Sequence, residues 1–193
     1  MQKIKTAILI SGRGSNMQAL VNAAKNPEYP AQISLVISNK ENAAGLEFAT
    51  QNGIKTAFIN HKDFSNREEF DREVSKTISE NDCQIVCLAG FMRLVSAWFV
   101  NQYQGKMINI HPSILPNFKG VQAVEDALEA KATKTGCTTH FVSEEMDSGK
   151  IIMQAEVEVL KGDDKEALAT RILKQEHIIY PESLAILCNK FLI

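Results

Sequence analysis

The chain reads as an α/β fold: a doubly wound, mostly parallel sheet of Rossmann-like type with an antiparallel C-terminal extension. Three observations predict it. Through the first half, short apolar runs alternate with helix-period segments, the pattern of successive strand–helix–strand units. The fourth of those runs, Gln84 to Ala89, is nearly all apolar, as a strand covered on both faces must be. The last two runs, Thr135 to Val142 and Ile151 to Val159, are separated by a single loop, which suits an antiparallel pair.

Residues 4–10 form the first strand, which stops at Ser11-Gly12-Arg13-Gly14-Ser15. From Asn16 to about Asn26 the chain is helical, because Met17, Leu20, Val21 and Ala24 recur at helical spacing. Ile33 to Ile37 is the second strand, Ala43 to Gln51 the second helix with Gly53 as its stop, and Ile54 to Ile59 the third strand. Asn66 to Asn81 is a charged amphipathic helix carrying Phe70, Val74 and Ile78 along one stripe. After the fourth strand come a short helix from Ser96 to Tyr103, a strand from Lys106 to Ile110, and a helix from Val121 to Lys131. The closing helix runs from about Lys165 to Asn189, with Pro181 as a point of bending. No repeat, linker or low-complexity tract interrupts this order, so a single domain of residues 1–193 is expected.

Composition narrows the function classes. Hydrophobic residues are 45% and charged residues 23%, ordinary values for a globular chain that buries a core. A formal charge of −2 sets up no field to attract nucleic acid or an anionic membrane, so small-molecule partners are expected. No segment approaches the ~18 apolar residues of a membrane span, and the first residues lack the cleavage pattern of a leader. Cys83, Cys87, Cys137 and Cys188 contain no CxxC and read as reduced thiols of a cytoplasmic protein. His61, His111, His140 and His177 show no ligand spacing, so no metal is expected.

Chemistry concentrates in Asn109-Ile110-His111-Pro112 and in Asp147, about 35 residues later within Met146-Asp147-Ser148-Gly149. Residues two apart on a strand share a face, so Asn109 and His111 point one way and Ile108 and Ile110 the other, towards a core. Pro112 cannot continue the ladder and leaves His111 at an open strand end. An amide donor beside a titratable imidazole suits acyl-type transfer, in which donors are aimed at a developing oxyanion. An acidic neighbour such as Asp147 favours the charged imidazole and can relay a proton. The alternative is that both are polar punctuation at a strand end.

The loop Ser11-Gly12-Arg13-Gly14-Ser15-Asn16 joins a strand to a helix. Gly12 and Gly14 permit close ligand approach, and Ser15 or Asn16 can cap a helix whose free N–H groups favour an anion. Met17 stands where GxGxxG needs its third glycine, and no Gly-Lys-Ser/Thr follows. One phosphate monoester therefore fits better than a pyrophosphate. A glycine-rich connection without a ligand is the other reading.

Together with Leu88-Ala89-Gly90-Phe91-Met92-Arg93, Ile108 to Pro116, Thr138-Thr139-His140-Phe141-Val142 and Gln175-Glu176-His177, these segments resemble the phosphoribosylglycinamide formyltransferases, or glycinamide ribonucleotide transformylases. The resemblance covers nearly the whole chain. It implies formyl transfer from 10-formyltetrahydrofolate, a cosubstrate, to the amine of phosphoribosylglycinamide in purine synthesis. It places the catalytic trio on Asn109, His111 and Asp147, the phosphate site on Gly14, Ser15 and Asn16, and a ribose contact on Glu176. Folate contacts fall on Arg67, on Met92, Arg93, Leu94 and Val95, and on Ser143, Glu144, Glu145 and Met146. The expected domain has a phosphate-binding half, residues 1–105, and a catalytic and folate-loop half, residues 106–193, in a monomer or homodimer. His140 and His177 read as structural. Lys150 departs from many relatives, and Gln122-Ala123-Val124 and Leu173 from some, leaving the phosphate and folate-loop contacts open. The rival readings are a formyltetrahydrofolate hydrolase, a methionyl-tRNA formyltransferase and a non-catalytic nucleotide-binding module.

Overall fold

The computed structural model describes residues 2–192 and contains one seven-stranded sheet. Its strands are β1 (Ile4–Ile10), β2 (Ala31–Ser38), β3 (Lys55–Phe58), β4 (Ile85–Leu88), β5 (Met107–His111), β6 (Lys134–Phe141) and β7 (Ile151–Glu158). They lie in the order β3-β2-β1-β4-β5-β6-β7. The first five pair in parallel, whereas β6 runs antiparallel to β5 and β7 antiparallel to β6. This is the doubly wound sheet with an antiparallel extension that the sequence predicts. β1 and β4 are buried almost throughout because helices cover both faces.

The helices are α1 (Ser15–Ala24), α2 (Ala44–Gln51), α3 (Arg67–Glu80), α4 (Ala97–Gln102), α5 (Ala123–Glu129) and α6 (Lys165–Asn189). Side chains of α1, α2, α5 and α6 fill the core on one face, where Ile8, Ile10, Ile108 and Ile110 meet Met17, Leu20, Leu184 and Leu187. Those of α3 and α4 fill the other, where Phe70, Val74, Ile78 and Phe99 meet Leu9, Val86 and Met107. Capping is local and polar: Asn66 Oδ1 accepts the Glu69 N–H at 2.9 Å, and Asp164 Oδ1 the Ala167 N–H at 2.8 Å. A 3₁₀ turn at His61–Asp63, absent from the sequence reading, lies between β3 and α3. α6 stays helical through Pro181. Among the described residues no helix is long and apolar enough to cross a membrane.

This topology positions the site. The parallel strands end on one side of the sheet, where β1 runs into the glycine loop and β5 ends at His111. The switch to antiparallel pairing sets Asn109 opposite His140, with a register irregularity at Thr139/His140.

Candidate active site

Asn109 and His111 project from the face of β5 opposite Ile108 and Ile110, which are buried in the core. They open into a cavity of about 560 Å³ that also reaches His140 and Asp147. The imidazole of His111 is buried and its two nitrogens have different surroundings. Nε2 lies 2.8 Å from the Phe118 carbonyl, an acceptor only, so this nitrogen carries a proton. Nδ1 faces Asp147 Oδ2 at 3.4 Å. That same oxygen accepts the Gly120 N–H at 2.9 Å, while Asp147 Oδ1 stands 3.7 Å from His140 Nε2.

Asp147 is held in a backbone conformation that side chains seldom adopt, at φ 53°. Such a residue at a site lined by titratable groups is a place where backbone strain serves geometry. Its loop is closed by Gly149, whose Cα lies against the Phe141 carbonyl; a Cβ there would fall 1.6 Å from that oxygen. The glycine of Met146-Asp147-Ser148-Gly149 therefore lets the loop return tightly enough to bring Asp147 to His111.

His140, read from sequence as structural, touches the Asn109 amide. Its Nδ1 lies 2.9 Å from the Phe141 carbonyl and so carries the proton. Nε2 is then an acceptor, 3.3 Å from Asn109 Nδ2. Burial pushes the His140 pKa down, against the opposing pull of the Phe141 carbonyl and Asp147, which keeps the ring neutral at neutral pH. This bond settles which way the Asn109 amide points. Its second amide N–H has no protein partner among the described residues. Nothing in the sequence marks this role, because it depends on the strand register that sets Asn109 against His140.

The cavity gathers most of the expected folate residues. Arg67, Met92, Arg93, Leu94, Val95, Ser143, Glu144 and Met146 line it. Arg93 is half-buried with its guanidinium 5.4 Å over the Phe70 ring, and its Nε has no partner among the described residues. Glu145 is not among the lining residues; it is exposed, 3.4 Å from Lys119 Nζ.

Gly14, Ser15, Asn16 and Glu176 do not line the cavity but gather where α1 meets α6. The expected cap is absent. Gly14, at φ 68°, is the residue before the helix; Ser15 begins the helix, and no side chain caps it. Asn16 is instead turned to α6, where its Nδ2 donates to Glu176 Oε2 at 2.7 Å, leaving Asn16 Oδ1 buried without a partner. The uncapped first turn keeps its N–H groups available to an anion. Burial raises the Glu176 pKa, against the lowering effect of the Asn16 amide. Among the described residues no group of three or more His, Cys, Asp or Glu could hold a metal ion.

Residues 4–184 match the family model described as formyl transferase. Phosphoribosylglycinamide formyltransferase of Escherichia coli (strain K12) is 43% identical over 174 residues, 90% of this chain and 82% of that protein. The trifunctional purine biosynthetic protein adenosine-3 of Homo sapiens is 50% identical over 188 residues, 97% of this chain but 19% of that protein. The chain thus spans about a fifth of the length of this larger relative. Among solved structures, glycinamide ribonucleotide transformylase 1 from Symbiobacterium toebii superposes with a TM-score of 0.95 at 38% identity, covering 97% of this chain and 89% of that one.

Proposed function

The chain belongs to the formyl transferase family, and from that premise we propose that it carries a formyl group from 10-formyltetrahydrofolate to the amine of phosphoribosylglycinamide in purine synthesis. One observation carries the assignment: Asn109 and His111 at the end of β5 and Asp147 from a distant loop line one cavity with an apolar wall. The amine attacks the formyl carbon, a C–N bond forms, and the carbonyl oxygen gains negative charge. The free N–H of Asn109 is the direct donor to that oxygen, since His140 holds the other. His111 acts through Nδ1, because Nε2 is committed to Phe118. As the tetrahedral centre collapses, the bond to the folate nitrogen breaks and the amine proton passes by way of Asp147 to that nitrogen.

The remaining residues hold the two substrates. Gly14, Ser15 and Asn16 receive the phosphate at the uncapped start of α1, and Glu176 accepts from the ribose. Met92, Leu94, Val95 and Met146 pack against the folate, Ser143, Glu144 and Glu145 shape its loop, and Arg67 and Arg93 meet its carboxylates. None of these steps uses a metal. This domain acts in the cytoplasm, as a monomer or dimer, with residues 1–105 binding phosphate and residues 106–193 carrying the chemistry and the folate loop.

The test is an assay of the purified chain with 10-formyltetrahydrofolate, with and without phosphoribosylglycinamide. Amine-dependent appearance of formylated ribonucleotide is expected. Release of formate independent of the amine would identify a hydrolase, and binding of the ribonucleotide without turnover would identify a non-catalytic module.

A further inference from the structure

Ser11, the residue after β1, is buried, with its N–H and its hydroxyl both engaged. Its N–H donates to the Gly90 carbonyl at 3.1 Å, and its hydroxyl accepts the Met92 N–H at 2.8 Å. The hydroxyl proton goes to Asn39 Oδ1 at 2.6 Å. Asn39 is buried as well, and both its Nδ2 and its backbone carbonyl lie 3.4 Å from His61 Nδ1. The segment held in this way, Gly90 to Met92, is where the chain leaves β4 and becomes the cavity wall. The Met92 side chain is 68% exposed, so packing does little to hold it. Its place is set through the backbone.

We propose that Ser11 is a positioning residue for the formyl donor: from the strand end that leads into the phosphate loop, its hydroxyl fixes the Gly90–Met92 turn so that residues 92–95 form the folate wall. This rests on the folate reading of the cavity. The phosphate loop does not depend on the hydroxyl in the same way, because the Gly12 carbonyl has its own donor, the Gly45 N–H at 3.1 Å. Removing the hydroxyl therefore moves the affinity of one substrate and spares the other.

Steady-state kinetics of Ser11→Ala with both substrates varied tests this. Losing the acceptor of a partly buried N–H should raise the folate KM about 10-fold. The ribonucleotide KM and kcat should each change less than about 3-fold, and Ser11→Thr, which keeps the hydroxyl, should restore the folate KM. A merely structural serine would reduce the fraction of active enzyme and hence kcat, with both KM values unmoved; that result overturns the assignment. So does an equal rise in both KM values. If Ser11→Ala does not fold, Asn39→Ala, which removes the group that aims the hydroxyl, takes its place: a selectively raised folate KM supports the proposal and an unchanged one overturns it. A wild-type chain with no formyl transfer from folate would overturn the function and this assignment together, whereas an active wild type with an unaffected Ser11→Ala removes only the latter.

Discussion

Whether His140 works through Asn109 or through Asp147 is decided by a double-mutant cycle, because its Nε2 faces both. The hydrogen bond to Asn109 Nδ2 is 3.3 Å long, whereas Asp147 Oδ1 stands at 3.7 Å, beyond hydrogen-bond range, and a neutral Nε2 has no proton to offer it. The geometry therefore favours Asn109. Asn109→Ala removes the proposed oxyanion donor and should lower kcat by about 100- to 1000-fold. His140→Leu leaves the amide present but free to turn; losing one neutral hydrogen bond, worth about 1 kcal/mol, should lower kcat by roughly 5- to 10-fold. If the histidine acts only by aiming the amide, the double variant should be no slower than Asn109→Ala within about 3-fold. The assay is single-turnover formyl transfer at saturating substrates, with melting curves to confirm that each variant is folded. Costs that multiply in the double variant would refute this reasoning and move the role of His140 to Asp147.

Three further outcomes follow from the same physics. Burial raises the Glu176 pKa, so the unfolded chain gives up this proton at a lower pH than the folded one. Stability therefore falls as pH rises through that window and stays lower above it. Glu176→Gln should melt higher than wild type at pH 8 and level with it at pH 4, while its ribonucleotide KM rises; a melting gain that persists unchanged at pH 4 would contradict the linkage. Gly149→Ala drives a Cβ into the Phe141 carbonyl and should cost about 1–3 kcal/mol, roughly 2–4 °C of melting temperature for each, with a loss of turnover as Asp147 is displaced. Burial pushes the Cys83 thiol up to about 11 and those of Cys137 and Cys188 up to about 12. At pH 8 a disulfide reagent should label the folded protein far more slowly than the denatured chain, and a rapidly reacting thiol in the folded state would contradict this.

The sheet was legible because its signals are local. β4 is a short apolar run, α3 carries one apolar stripe, and Gly53 and Asn66 mark a helix stop and a helix start. The faces of β5 followed from simple alternation, which sends Ile108 and Ile110 to the core and leaves Asn109 and His111 on the other side. What could not be read depends on strand register or on backbone groups, which carry no letter in a sequence. The bond from His140 to Asn109 exists only because β6 reverses direction at that register, and the partners of His111 and Asp147 include the Phe118 carbonyl and the Gly120 N–H. Either Ser15 or Asn16 could cap α1 by residue type, since both commonly do. Instead, the helix is entered one residue earlier through Gly14, and Asn16 turns to the buried carboxylate of Glu176.

The bond between His111 Nε2 and the Phe118 carbonyl makes one imidazole an indicator for a stretch of chain that has no reporter of its own. Undocking residues 117–120 would strand that ring proton and strip Asp147 of its Gly120 donor in a single event. The resonance of the His111 side-chain nitrogen should thus register when the lip of the cavity lifts, and an inhibitor that grips Nε2 would have to displace that segment to reach it.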